Sequence, residues 1–173
     1  MPLTKKEVLR NARKIKLVIL DADGVLTDGS IFYGLSREGD FELKAFHAHD
    51  GFGISRSIQL GLPVSIITGR RSAIVERRAK ELGIRELYQG SDNKRPAYEK
   101  AKRRHRLRDE EIAYMGDDLL DLVLLKRVGL SAAAGSALPE VKRAVHYVSS
   151  LNGGEGAVRE FIDLILRAQK KIE

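Results

Sequence analysis

Leu17-Val18-Ile19-Leu20-Asp21-Ala22-Asp23-Gly24-Val25-Leu26-Thr27-Asp28-Gly29 decides the fold. Its short apolar opening, rich in β-branched residues, reads as a strand buried on both faces, as in a parallel sheet. That strand runs into two carboxylates one residue apart, then a glycine. Side chains two apart along a strand point the same way, so Asp21 and Asp23 face one crevice. In open α/β sheets, ligands gather beyond the carboxyl ends of the strands. Two like charges there repel unless a cation or a shared proton lies between them. Taken alone, the stretch would be a strand ending in an ordinary Asp/Gly turn.

Outward from it the chain keeps a regular rhythm. Residues 4–14 read as a short basic helix or arm leading into the first strand. Residues 30–33 and 41–46 are β-type runs around a Gly-rich polar loop, a hairpin of about residues 28–46. A lone hairpin is marginal in water, so this one should lean on the body or on another subunit. Helices are expected over 52–60, 72–82, about 94–105, about 119–127, 139–144 and 157–172. Strands are expected over 63–67, 86–88, 112–115, 129–133 and 146–148, with Gly153-Gly154 as a hinge before the last helix. Repeating βα units of this length imply a Rossmann-like, doubly wound parallel sheet, and residues 1–173 fit one domain.

Composition narrows the class. The chain has no cysteine, which excludes disulfides and thiolate metal sites and makes the cytosol the default compartment. No run is long enough to span a membrane, and the basic, polar first 16 residues carry no apolar leader segment. The net charge of +7 favours anionic partners. Nucleic acid is a poor fit, because the basic residues are dispersed and only 6% of residues are aromatic.

The residues able to do chemistry fall at strand ends: Asp21 and Asp23, then Thr68-Gly69-Arg70, then Lys94, then Asp117, Asp118 and Asp121. Carboxylates around one hole make a hard-oxygen site suited to Mg²⁺ that keeps some of its waters. A hydroxyl on Thr68 and an ammonium on Lys94 suit phosphoryl oxygens. Each has an ordinary reading too: a turn residue, a solvated helix start, an N-cap. Their placement on one rim is what argues for a site.

Asp-x-Asp-Gly-Val, Ile-Thr-Gly-Arg, a lone Lys and Gly-Asp-Asp-x-x-Asp, in this order, resemble the four motifs of the haloacid dehalogenase-like phosphatases. More narrowly, along nearly its whole length the chain resembles the 3-deoxy-D-manno-octulosonate 8-phosphate (KDO 8-phosphate) phosphatases. The stretches Asp50-Gly51-Phe52-Gly53-Ile54 and Gly153-Gly154-Glu155-Gly156-Ala157-Val158-Arg159-Glu160 support this. The resemblance implies that Asp21 is the nucleophile, forming an aspartyl-phosphate, and that Asp23 is the general acid and base. It also implies Mg²⁺ held by Asp21, the Asp23 backbone carbonyl and Asp117, with Asp118 and Asp121 orienting Lys94 or nearby water. Thr68 and Lys94 would hold the phosphoryl group. A sugar-acid phosphate would be bound by Asp23, His47, Ala48, His49, Asp50, Gly51, Arg70, Arg78 and Lys94. Many relatives carry Asn and Arg where His47 and His49 stand, and imidazole is only partly charged near neutral pH. The chain has no room for a cap domain, and by resemblance capless members form homotetramers whose hairpins complete neighbouring sites. The implied setting is cytoplasmic, in the synthesis of lipopolysaccharide precursors.

Three other readings compete. A phospho-acceptor receiver domain also uses Asp, Thr, Lys and a metal, but it lacks this hairpin and separates its acidic pair from the accepting Asp. A basic nucleic-acid-binding protein would reveal itself by steeply salt-dependent binding. A phosphatase for another sugar acid, such as a nonulosonate 9-phosphate, is distinguished only by substrate profiling.

Overall fold

Strand β1 (Leu17–Leu20) is wholly buried, and its alternation explains the unbroken apolar run. Val18 and Leu20 enter one hydrophobic cluster, Leu17 and Ile19 another, so both faces of the sheet are covered. The computed structural model describes residues 3–37 and 39–173; Met1 and Pro2, the start of the basic, polar first 16 residues, and Glu38, in the expected hairpin loop, lie outside it. The remaining strands are β2 (Phe32–Ser36), β3 (Gly39–Leu43), β4 (Val64–Ile67), β5 (Glu86–Tyr88), β6 (Ile112–Gly116), β7 (Leu130–Ala133) and β8 (Tyr147–Val148). The helices are α1 (Lys5–Ala12), α2 (Ala48–Gln59), α3 (Ala73–Glu81), α4 (Lys94–His105), α5 (Leu122–Leu125), α6 (Pro139–Ala144) and α7 (Ala157–Ala168).

Six strands form one parallel sheet in the order β5-β4-β1-β6-β7-β8. Residues of α1, α3 and α7 pack on one face, and residues of α4, α5 and α6 on the other. This is the doubly wound α/β arrangement read from the sequence. Its order turns at β1, between β4 and β6, and there the carboxyl ends of three strands frame a crevice. Among the described residues no helix is long and apolar enough to cross a membrane.

Several element ends differ from expectation, each for a local reason. Helix α2 starts at Ala48, not at residue 52, although Gly51 and Gly53 lie in its first turns. Both glycines serve close packing: a Cβ at Gly51 would meet Arg78 Nη2 at 2.3 Å, and one at Gly53 would meet Arg159 Cδ at 2.7 Å. The helix expected from residue 119 is instead a 3₁₀ turn, Leu119–Asp121, followed by the four-residue α5. Helix α7 ends at Ala168; Gln169 then donates its side-chain amide to Ala12 and Ile15, and Lys170 turns left-handed at φ 57°. The hairpin closes more tightly than expected, with Phe32 opposite Leu43 and Gly34 opposite Phe41.

Gly153-Gly154 is not a hinge. A Cβ at Gly153 would lie 1.9 Å from the Gly24 carbonyl oxygen, and the Gly154 amide donates to Val25 at 3.1 Å. The pair therefore clamps the loop after β1 at a separation that side chains would prevent.

Candidate active site

Asp21 follows the last residue of β1 and is buried. Lys94, the first residue of α4, reaches across to it: the ammonium donates to Asp21 Oδ2 at 2.6 Å and to Asp121 Oδ1 at 2.6 Å. Tyr114 on β6 completes the cradle, with its hydroxyl 3.2 Å from the ammonium and donating to Asp121 at 2.5 Å. Burial works against the Lys94 ammonium, but Asp21 and Asp121 outweigh it and raise its pKa above the ordinary value. Asp121 is fully occupied, since its other oxygen takes the amides of Asp117 and Asp118 at 2.9 and 3.2 Å. It thereby fixes Lys94 and the loop after β6 together.

Asp21, Asp117 and Asp121 each offer an oxygen within 4.8 Å of the others. Asp117 Oδ1 is buried without a hydrogen-bond partner. Burial, then the charge of Asp121, lifts the Asp21 carboxyl to about 6. Burial, then Asp21 and Asp121, lifts Asp117 to about 8. An orphaned carboxylate oxygen beside a second crowded carboxylate is what a hard divalent cation would relieve, so the donor set fits Mg²⁺. The backbone agrees: Gly24 has φ 79°, and a Cβ on it would lie 2.0 Å from Asp117 Oδ2. The Ala22 carbonyl collects the amides of Val25, Leu26 and Thr27, so the turn after β1 closes on Ala22 and not on Asp23.

Two cations flank the Asp23 carboxylate, one of them hydrogen-bonded to it. Lys44, immediately after β3, donates to its Oδ1, and Arg70 Nε lies 3.6 Å from its Oδ2. The Lys44 side chain is fully buried, with Glu42 Oε1 at 3.5 Å as a second counter-charge. Glu42 also accepts from Ser72 Oγ at 2.5 Å and from Arg70 Nη2 at 3.3 Å, while Arg70 Nη2 donates to Tyr33 at 2.8 Å. Thr68 is buried at the tip of β4, its amide and carbonyl taken by Tyr88 and Ser91.

The segment expected to hold substrate is divided. His47 is the N-cap residue of α2 and stacks edge-on with His49 at 5.0 Å; His49 is exposed, while His47 is half-buried with its Nδ1 buried 4.0 Å from Asp50 Oδ2. Asp50 is buried, and its two oxygens take the amides of Gly156 (3.2 Å) and Arg159 (2.7 Å) at the start of α7. Its carboxylate is thus committed to the fold. Ala48 and Arg78 line a recess of about 620 Å³ together with Lys44, Phe46 and Arg77. Arg78 sits over the Phe46 ring at 5.7 Å and beside Gly51. Asp118 is exposed and caps the 3₁₀ turn through Leu119, so the orienting of Lys94 falls to Asp121 and Tyr114. Sequence reasoning missed Lys44, Glu42 and Tyr114. A tyrosine inside a strand reads as core, and nothing local marks a lysine after a hairpin as buried.

An open parallel sheet whose first strand ends in this Lys-anchored acidic crevice, with a hairpin beside it and, among the described residues, no cap domain, defines a haloacid dehalogenase-like hydrolase. A family described as haloacid dehalogenase-like hydrolase matches residues 79–162. A 3-deoxy-D-manno-octulosonate 8-phosphate phosphatase of Yersinia pestis is 46% identical over 167 residues, covering 96% of this chain and 88% of that protein. A crystal structure of the Yersinia pestis enzyme superposes with a TM-score of 0.91 at 45% identity, covering 95% of this chain and 88% of the other. The Moraxella catarrhalis phosphatase, solved with magnesium, phosphate and KDO, gives a TM-score of 0.92 at 39% identity, covering 97% and 95%. The chain belongs to the 3-deoxy-D-manno-octulosonate 8-phosphate phosphatase family, and it is a phosphoric monoester hydrolase.

Proposed function

We propose that the chain hydrolyses 3-deoxy-D-manno-octulosonate 8-phosphate to the free sugar acid and inorganic phosphate, in the cytoplasm, for lipopolysaccharide precursor synthesis. The observation that carries the reading is the orphaned Asp117 oxygen beside Asp21, with Lys94 locked onto Asp21 from the other side. In this reading one Asp21 oxygen attacks phosphorus in line as the bond from phosphorus to the sugar oxygen breaks. Asp23 gives its proton to that departing oxygen. Asp23 next takes a proton from water, whose oxygen bonds phosphorus as the Asp21–phosphorus bond breaks. Phosphate leaves, Asp21 is again a carboxylate and Asp23 is again protonated.

Lys94 and Thr68 hold the phosphoryl oxygens, because positioning and charge stabilisation are most of what this transfer needs. Asp21, Asp117 and the Asp23 carbonyl would hold Mg²⁺, which when bound neutralises charge on the phosphoryl group and its attacking carboxylate. Arg70 and Arg78, together with the His47–Gly51 backbone and imidazoles, are the groups we assign to the sugar acid. The hairpin supports a homotetramer: Phe32, Tyr33 and Leu35 are 56%, 70% and 84% exposed, more apolar surface than so small an excursion leaves bare in a monomer.

The test is phosphate release from a panel of eight- and nine-carbon sugar-acid phosphates, with Mg²⁺ and with chelator, for the wild type and Asp21→Asn. The expected result is Mg²⁺-dependent release favouring the eight-carbon ester, lost in the variant. Preference for a nine-carbon ester would overturn the substrate assignment, and undiminished release by Asp21→Asn would overturn the nucleophile.

A further inference from the structure

We propose that Lys44 is a positioning residue for the reaction, fixing the Asp23 carboxylate so that Oδ2 is the oxygen that exchanges the proton. The inference rests on the role given above to Asp23 and adds the device that aims it.

Lys44 leaves the hairpin immediately after β3, yet its side chain is wholly buried. A buried ammonium is tolerated only where counter-charges meet it, and those counter-charges are Asp23 Oδ1 and Glu42 Oε1. Glu42 is itself tied down. Ser72, the N-cap of α3, donates to one of its oxygens and Arg70 to the other. The Ser72 amide in turn donates to Gln89 Oε1 at 2.8 Å. The ammonium therefore has one resting place, set by the hairpin, the loop after β4 and α3 together.

That place divides the two oxygens of Asp23. Oδ1 is occupied by the Lys44 donor. Oδ2 faces Arg70 Nε at 3.6 Å, beyond hydrogen-bond distance, and that Nε is a buried donor with no acceptor. A carboxylate with one oxygen clamped and the other free presents one proton-transfer direction, which is what an acid–base group needs. The uncommitted Arg70 Nε is beside that free oxygen, where a departing sugar oxygen would receive both the proton and a hydrogen bond. A residue that only stabilised the hairpin would have no need of the acid–base carboxylate as its partner.

The chain has no cysteine, so Lys44→Cys carries a single thiol, and 2-bromoethylamine converts it to a thioether that returns an ammonium at nearly the same reach. Turnover is measured on 3-deoxy-D-manno-octulosonate 8-phosphate, whose leaving group needs a proton, and on p-nitrophenyl phosphate, whose leaving group does not. For Lys44→Cys and for Lys44→Met we expect kcat on the sugar phosphate to fall at least about tenfold, with KM little changed. The fall on p-nitrophenyl phosphate should be smaller, and aminoethylation of the Lys44→Cys protein should remove the difference by restoring turnover on the sugar phosphate. A general folding defect lowers both substrates alike and is not repaired by the amine, and that result would overturn the proposal. So would a loss expressed in KM, which makes Lys44 a substrate contact, or wild-type kcat in both variants. Asp23→Asn is run beside them: if it keeps full turnover on both substrates, the acid–base reading of Asp23 fails, whatever the Lys44 variants do.

Discussion

At the residue scale the crevice is a balance of charges that the fold leaves uneven. Lys94 neutralises part of the charge of Asp21 and Asp121, while Asp117 is left with an unpartnered oxygen. Burial and the neighbouring carboxylates hold Asp21 near 6 and Asp117 near 8, both above the ordinary carboxylate range. A carboxyl whose pKa is raised by folding contributes most to stability below its unfolded pKa, and that contribution is lost as pH rises through the folded value. In chelator, the thermal midpoint should therefore drop as pH climbs through these two values, and Mg²⁺ should restore more at about pH 8 than at about pH 6. Differential scanning fluorimetry across pH checks this, and a Mg²⁺ increment that is flat or shrinks with pH would contradict it. The five carboxylates Asp21, Asp23, Asp117, Asp118 and Asp121, with Lys94, could be picked out of the sequence because they stand where strands end. Lys44, Glu42 and Tyr114 could not, because their roles arise from contacts between segments that only folding brings together.

At the element scale the sheet was legible because β1, β4, β6 and β7 are apolar runs that match their all-buried environment. Helix boundaries were harder to read, since Gly51 and Gly53 look like breakers and become intelligible only once Arg78 and Arg159 are seen against them. The same region joins α2 to α7. Gly156, with φ 110°, brings no side chain to cap α7, and Asp50 from the first turn of α2 supplies the acceptors instead. Asp50→Ala should cost about 1–2 kcal/mol, the usual cost of losing a helix cap, and Asp50→Asn should recover much of it. Urea denaturation measures this. An unchanged midpoint in Asp50→Ala would mean that α7 is held by its apolar face alone.

At the scale of the whole molecule, a small α/β body carries its chemistry on one rim and a hairpin beside it. Glu42 and Tyr33 of that hairpin reach Arg70, and Lys44 at its base reaches Asp23, so its placement and the site are mechanically linked. Its opposite character, bare apolar side chains at Phe32 and Leu35, fits assembly with other copies. Light scattering after size exclusion should give four copies for the wild type and fewer for Leu35→Glu; a monomeric wild type would contradict the assembly. Everything proposed for the site depends on a phosphoryl group passing through Asp21. Acid quenching during turnover, borohydride reduction and peptide mass mapping test that most directly, because reduction converts an aspartyl phosphate to homoserine. The account predicts homoserine at position 21 and at no other carboxylate. Full turnover with Asp21 unreduced, or reduction at a different aspartate, would contradict it.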